Sequence, residues 1–220
     1  MWTEETYPTD FTCAEVVSIF KKGNAELPQN YRPISLLNSS FKIFTKILQK
    51  RIADATDQLI SNTQFGFRKS RSTAEPLFCV RRLQDLGESG HENIILIFLD
   101  WEKAFDKVNH SRLIEALERM KLDKKMIDNI QALYGNPMFR TVHNNRTSDW
   151  KRQHSGIRQG CPLSPYLFVI MMNVLFADVR HRNNDPMRRK SLQHMSFQEL
   201  LYADDTLIVA KSTQKRQGNS

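Results

Sequence analysis

Two carboxylates side by side, Asp204 and Asp205, are enclosed between the apolar runs Phe197 to Leu201 and Leu207 to Ala210. An apolar run, a short polar break and a second apolar run read as strand, tight turn and strand, with Tyr202-Ala203-Asp204-Asp205 as the turn. Adjacent acids at a hairpin tip repel each other, unless a divalent cation sits between them and offsets the repulsion. The tip therefore reads as half of a metal site, with an ordinary surface Asp-Asp turn as the plainer alternative.

A matching carboxylate is Asp100, at the end of the run Asn93-Ile94-Ile95-Leu96-Ile97-Phe98-Leu99. Nearly every position of that run is apolar, which predicts a central strand covered on both faces, with its polar residues at the end. Hard cations such as Mg2+ take carboxylate oxygens. Two of them about 4 Å apart can activate a hydroxyl and stabilise a departing pyrophosphate. Three Asp residues on two neighbouring strands would hold such a pair.

Five blocks follow one another along the chain. They are Tyr31-Arg32-Pro33-Ile34-Ser35-Leu36-Leu37; Gln64-Phe65-Gly66-Phe67-Arg68 with Arg71-Ser72-Thr73; Phe98-Leu99-Asp100 with Lys103-Ala104-Phe105-Asp106; Gly156 to Pro165; and Tyr202-Ala203-Asp204-Asp205. In that order they resemble the reverse transcriptase domain of non-LTR, LINE-like retrotransposons, from about residue 16 to the end of the chain.

The resemblance implies an α+β fold, the fingers and palm of a right-hand polymerase. It makes Asp100, Asp204 and Asp205 the catalytic carboxylates and, with the Trp101 carbonyl, the metal ligands. It implies two Mg2+ ions, with Mn2+ as a substitute. Phe105 matches the bulky residue beneath the incoming sugar. Gln159 and Gly160 match the segment beside the incoming nucleotide, where a glycine allows close backbone approach. Arg32, Arg68 and Lys69 lie in finger motifs whose basic residues meet the triphosphate. The implied partners are an RNA template, a DNA primer and deoxynucleoside triphosphates.

The same residues have blander readings. Phe105 also fits an ordinary core aromatic opening a helix. Gln159-Gly160 also fits the turn before Pro162, a good first-turn residue. Glu102 and Asp106 suit a helix N-terminus better than a metal. Arg68, Lys69 and Arg71 also fit a solvated face. The order of the blocks, rather than any one residue, favours the functional reading.

Composition agrees with that reading. A chain of 220 residues, 40% hydrophobic, can bury a core of one or two lobes. Its net charge of +8 favours a polyanionic partner. Basic residues at Lys21-Lys22, Arg68-Lys69, Arg81-Arg82, Lys124-Lys125, Arg188-Arg189-Lys190 and Lys215-Arg216 are dispersed, as phosphate contacts along a groove would require. Cys13, Cys79 and Cys161 are far apart and odd in number. That indicates neither a disulfide framework nor a zinc cluster and points to a reducing, intracellular compartment. The N-terminus lacks a signal-peptide pattern. Tyr166 to Ala177 is too short to span a bilayer, so no membrane partner is expected. P-loop, His-Glu-x-x-His and Gly-x-Ser-x-Gly motifs do not occur.

Residues 1–91 are expected to form a fingers-like region, with a strand at Val16 to Phe20. A helix carries Phe41, Phe44, Ile47, Leu48 and Ile52 on one face, capped by Ser39 or Ser40. A second helix carries Leu77, Val80, Leu83 and Leu86, with Thr73 as cap and Pro76 in the first turn. Residues 92–220 are expected to form a palm region. It holds the Asp100 strand, helices at Ser111 to Met120 and Lys125 to Tyr134, and strands at Met138 to Val142 and Asp149 to Gln153 joined around Asn144-Asn145. A long helix from Leu163 to Arg182 follows, then a loop at Asn183 to Pro186, then the Asp-Asp hairpin. Together these predict one sheet with helices on one face.

The activity implied is template-directed nucleotidyl transfer, in which a primer 3′-hydroxyl attacks the α-phosphate of a deoxynucleotide. The resemblance stops before the later palm strands and the helical thumb, and a polar, frayed tail is expected from Lys211 to Ser220. The rival readings are a catalytically inactive truncated relic, a non-catalytic RNA-binding module of the same fold, and, more weakly, a metal-dependent nuclease.

Overall fold

The computed structural model describes residues 7–89, 94–182 and 198–211. Its elements in chain order are α1 (Thr9–Thr12), β1 (Cys13–Phe20), β2 (Tyr31–Leu36), α2 (Ser39–Thr56), α3 (Ala74–Glu88), β3 (Ile94–Leu99) and α4 (His110–Arg119). There follow α5 (Lys124–Gly135), β4 (Met138–His143), β5 (Arg146–Thr147), β6 (Lys151–Arg152), α6 (Ser164–Arg182), β7 (Glu199–Tyr202) and β8 (Asp205–Lys211). The expected loop at Asn183 to Pro186, the 91/92 boundary and the tail after Lys211 lie outside the described residues.

The helices form where apolar residues recur three or four apart. On α2, Phe41, Leu48 and Ile52 are buried, whereas Ile47 is exposed. Its cap is Asn38, one position before the expected serines, whose side chain accepts the Ser40 N–H at 2.9 Å. On α3, Thr73 occupies the cap position without a side-chain bond. There the Glu75 carboxylate, in the first turn, accepts the Ser72 N–H at 2.9 Å. That bond lowers the Glu75 pKa. Asn109 and Asp123 cap α4 and α5 by the usual side-chain acceptance.

Packing divides the chain into two units, each assembled from two stretches of sequence. The first comprises Met1–Leu59 and Lys103–Met171. It holds a five-stranded sheet ordered β2-β1-β4-β5, with β6 also on β4. β1 is antiparallel to β2 and parallel to β4. Asn144 and Asn145 both adopt positive φ at the β4–β5 turn, as their residue type allows. Leu113, Leu117 and Ile130 on α4 and α5 are fully buried.

The second unit comprises Ile60–Glu102 and Met172–Ser220 and holds a three-stranded sheet ordered β3-β8-β7. Phe65, Leu83, Leu200, Leu207 and Val209 form its core, with Cys79, Val80, Ile94 and Leu96 packed against it. Among the described residues two sheets therefore replace the single one expected. There β3 is an edge strand of its sheet and not a central one, and Ile95, Ile97, Phe98 and Leu99 are exposed. A continuous apolar run does not distinguish an edge strand with one open face from a strand covered on both.

Candidate active site

The carboxylates belong to the second unit. β7 and β8 pair antiparallel from Glu199↔Ile208 to Tyr202↔Asp205, which leaves Ala203 and Asp204 as a two-residue turn. Asp204 stands in the turn itself, and Asp205 opens β8. β3 pairs antiparallel with β8 as far as Leu99↔Thr206, so Asp100 and Asp205 are the next positions on their strands. Were the ladder continued by one position, Asp100 and Asp205 would be cross-strand partners on one face of the sheet. All three carboxylates therefore stand at one end of one sheet.

A relay ties the end of β3 to the hairpin. The Trp101 indole N–H donates to Thr206 Oγ1 at 3.0 Å, and that hydroxyl donates to the Asp204 carbonyl at 3.4 Å. Asp100 and Asp205 are exposed and Asp204 is half-buried. The donor set, hard carboxylate oxygens with the Trp101 carbonyl nearby in sequence, suits Mg2+ or Mn2+ by its chemistry. Among the described residues no three His, Cys, Asp or Glu side chains are gathered closely enough to hold a metal ion. The convergence lies in the strands that carry the acids and is not a ready-made cage.

Behind the turn lies the Gln64-Phe65-Gly66 segment, which no reading of charge or periodicity singled out. Gln64 bridges Leu201 in parallel, and its side-chain oxygen accepts the Gly66 and Ala203 N–H groups. The signal available in the sequence was a glycine between two phenylalanines, which marks a close backbone approach.

Arg68 requires a correction. Only 9% exposed, it donates through Nη1 to the carbonyls of Ser61 and Gln64 at 2.9 and 3.0 Å. It therefore braces the loop from inside, where a triphosphate ligand would need an open guanidinium. Lys69 is exposed.

The remaining candidates belong to the first unit. Phe105 is not at a helix start; it lies in a run of turns and stacks on Phe168, with ring centroids 4.8 Å apart and planes 13° apart. The segment Ser155 to Gln159 grips that loop. The Gly156 N–H donates to the Val108 carbonyl at 2.7 Å, the Ile157 N–H to the Phe105 carbonyl at 2.9 Å, and Gln159 Nε2 to Asp106 Oδ1 at 3.2 Å. Burial pushes the Asp106 carboxyl above its ordinary range, against the lowering effects of Gln159 and Lys103.

Gly160 has φ +112°, and a Cβ there would lie 2.7 Å from the Ser35 carbonyl oxygen. The backbone that approaches Gly160 is thus the chain's own β2, a sufficient reason for glycine with no ligand present. The Ser35 N–H in turn donates to the Gln159 carbonyl at 2.8 Å. Arg32 is exposed on β2. Arg158 is buried beneath these residues, its guanidinium donating to the Phe11 and Thr12 carbonyls. Burial lowers its pKa.

The family model for reverse transcriptase (RNA-dependent DNA polymerase) matches residues 19–219. The chain is 28% identical to a probable RNA-directed DNA polymerase from transposon BS of Drosophila melanogaster, covering 94% of this chain and 22% of that one. It is 26% identical to a Pol polyprotein from the retrotransposable element R2 of Nasonia vitripennis, covering 96% of this chain and 20% of that one. A transposon TX1 protein of Xenopus laevis is 27% identical, with 87% of this chain and 14% of that one covered. The chain therefore spans about a fifth or less of the length of these curated relatives. Among solved structures, apo telomerase from Candida tropicalis superposes with a TM-score of 0.64 at 15% identity, covering 93% of this chain and 39% of that one. At that identity the likeness shows the fold alone, the α+β fingers and palm that the order of the motifs implies.

Proposed function

The chain belongs to the reverse transcriptase (RNA-dependent DNA polymerase) family, and we propose that it is the catalytic segment of a longer RNA-directed DNA polymerase of the non-LTR retrotransposon type. One observation carries this reading. The last β3–β8 pair is Leu99↔Thr206, which brings Asp100, the next residue after β3, to the end of the sheet where Asp205 opens β8 beside the turn that bears Asp204.

In this reading Asp100, Asp204 and Asp205, with the Trp101 carbonyl, hold two Mg2+ ions. When bound, such ions activate a primer 3′-hydroxyl and offset the charge that develops on the leaving pyrophosphate. The chain's own residues then position the reactants. Phe105, its ring braced by Phe168, is the proposed floor of the sugar site. Gln159 and Gly160 flank the incoming nucleotide on a backbone fixed by Ser35. Arg32 and Lys69 are exposed and remain the candidates for the triphosphate. The net charge of +8 supports sequence-blind contacts to an RNA template and a DNA primer.

The test is primer extension on an RNA template by the longer protein that contains this chain. Asp204→Ala should lower Mg2+-dependent extension by about a thousandfold or more, with thermal unfolding and template binding unchanged. Retained extension would sink the assignment. If even the unaltered protein binds RNA salt-dependently without extending a primer, the RNA-binding module takes its place.

A further inference from the structure

Gln64 is completely buried, yet only half of its amide is satisfied. Oε1 accepts the Gly66 N–H at 2.9 Å and the Ala203 N–H at 3.2 Å. Among the described residues Nε2 has no hydrogen-bond partner. Leaving a buried donor unpaired is costly, and an apolar side chain of similar size would avoid that cost. Glutamine at this position is explained by its acceptor, which the two main-chain N–H groups need.

Ala203 is the residue of the Asp204 turn at positive φ, +58°, in a region where a side chain is strained. Such a backbone persists when its surroundings determine it, and here they are main chain. The Phe65 N–H donates to the Leu201 carbonyl and the Leu201 N–H to the Thr63 carbonyl, both at 2.8 Å. Gly66 approaches so closely that a Cβ would lie 2.3 Å from the Ala203 nitrogen. Ala203 is itself buried, so without Gln64 its N–H would be an orphan.

We propose that Gln64 is a positioning residue of the carboxylate site. Its Oε1 fixes the Ala203 main chain, and thereby sets where Asp204 and Asp205 stand relative to Asp100. The proposal rests on the reading of those three acids as cation ligands, and its test separates the two.

In the 15N-labelled 220-residue chain, amide hydrogen exchange reports the clamp without any metal, and Mn2+ binding followed by electron paramagnetic resonance reports its consequence. Gln64→Met keeps the length and removes the strong acceptor; it should speed exchange at Ala203 and Gly66 by about tenfold. The same variant should weaken Mn2+ binding several-fold. Gln64→Glu restores an acceptor and should recover both. If Gln64→Met does not fold, Gln64→Asn, whose carbonyl falls one methylene short, gives the same contrast.

Unchanged exchange at Ala203 in the folded acceptor-deleted variant overturns the proposal, as does equal disturbance by Met and Glu, which would make packing the cause. Faster exchange with undiminished Mn2+ binding also overturns it. Asp204→Asn checks the underlying reading separately. Full Mn2+ affinity in that variant removes Asp204 as a ligand, while the exchange measurement still decides whether Gln64 holds the turn.

Discussion

The loop around Phe105 and the hairpin around Asp204 are held by different means. Phe105 is stacked on a buried ring, and its loop is bonded through main chain and side chains to Gly156, Ile157 and Gln159. The carboxylate hairpin has Asp205 in solvent and Asp204 half-buried, and among the described residues an open apolar strand, β3, at the edge of its sheet. Its rigidity comes from behind, through the main chain of Thr63 to Gly66. Solvated carboxylates can take up cations, whereas a buried trio of acids would pay for desolvation with raised pKa values. A frame of backbone contacts holds the hairpin while Asp205 stays in solvent.

The sharpest way to break this contrast is to put a methyl group into each frame. Gly66→Ala places a Cβ 2.3 Å from a main-chain nitrogen that cannot turn away, and should cost about 3 kcal/mol or more. Gly160→Ala meets the Ser35 carbonyl at 2.7 Å and adds strain at φ +112°, for about 2 kcal/mol. Urea unfolding of both variants gives the order. A smaller loss at Gly66 than at Gly160 would mean that the hairpin yields, and that its backing is not the rigid element described.

The local parts of this picture were legible in the sequence. The hairpin was, because two apolar runs flank a short polar break, and α2 and α3 were, because their apolar residues recur at helical spacing. Long-range pairing was not. β1 lies parallel to β4, with Arg140 donating to Glu15 across 125 positions, and no periodicity encodes that partner. The exposure of β3 escaped because composition reports what a strand is made of and not which neighbours cover it. Arg68 was a triphosphate candidate through its finger motif, and a motif does not tell whether a guanidinium faces a ligand or satisfies buried carbonyls. Gln64 stood in the second motif block, but a neutral amide says nothing of its role until the backbone it serves is known.

A moderate effect is expected at Phe105. Phe105→Ala removes a half-buried ring stacked on Phe168 and should cost about 2 kcal/mol, measured as a shift in the urea midpoint. In the longer protein the same change should raise ribonucleotide incorporation relative to deoxyribonucleotide. Lost stability with unchanged sugar discrimination would leave Phe105 a packing residue of its locked loop and would withdraw it from the nucleotide site.

The smallest effect, and the finest probe of the locked region, is at Asp106. Burial raises its carboxyl above 3.8, while the Gln159 N–H and Lys103 act in the opposite direction. A carboxyl whose pKa is raised on folding binds its proton more tightly in the folded state, so its ionisation opposes folding above the raised value. That penalty fades as the pH falls towards 3.8. Asp106→Asn keeps an oxygen for Gln159 Nε2 and cannot ionise. The variant should therefore gain a few tenths of a kcal/mol on the unaltered chain at pH 7, after solvent screening of a half-buried group, and nothing near pH 4. Stability curves that run parallel from pH 4 to pH 7 would show that Asp106 is well solvated in the folded chain, and the grip of the Ser155 to Gln159 segment on this loop would then be looser than its hydrogen bonds imply.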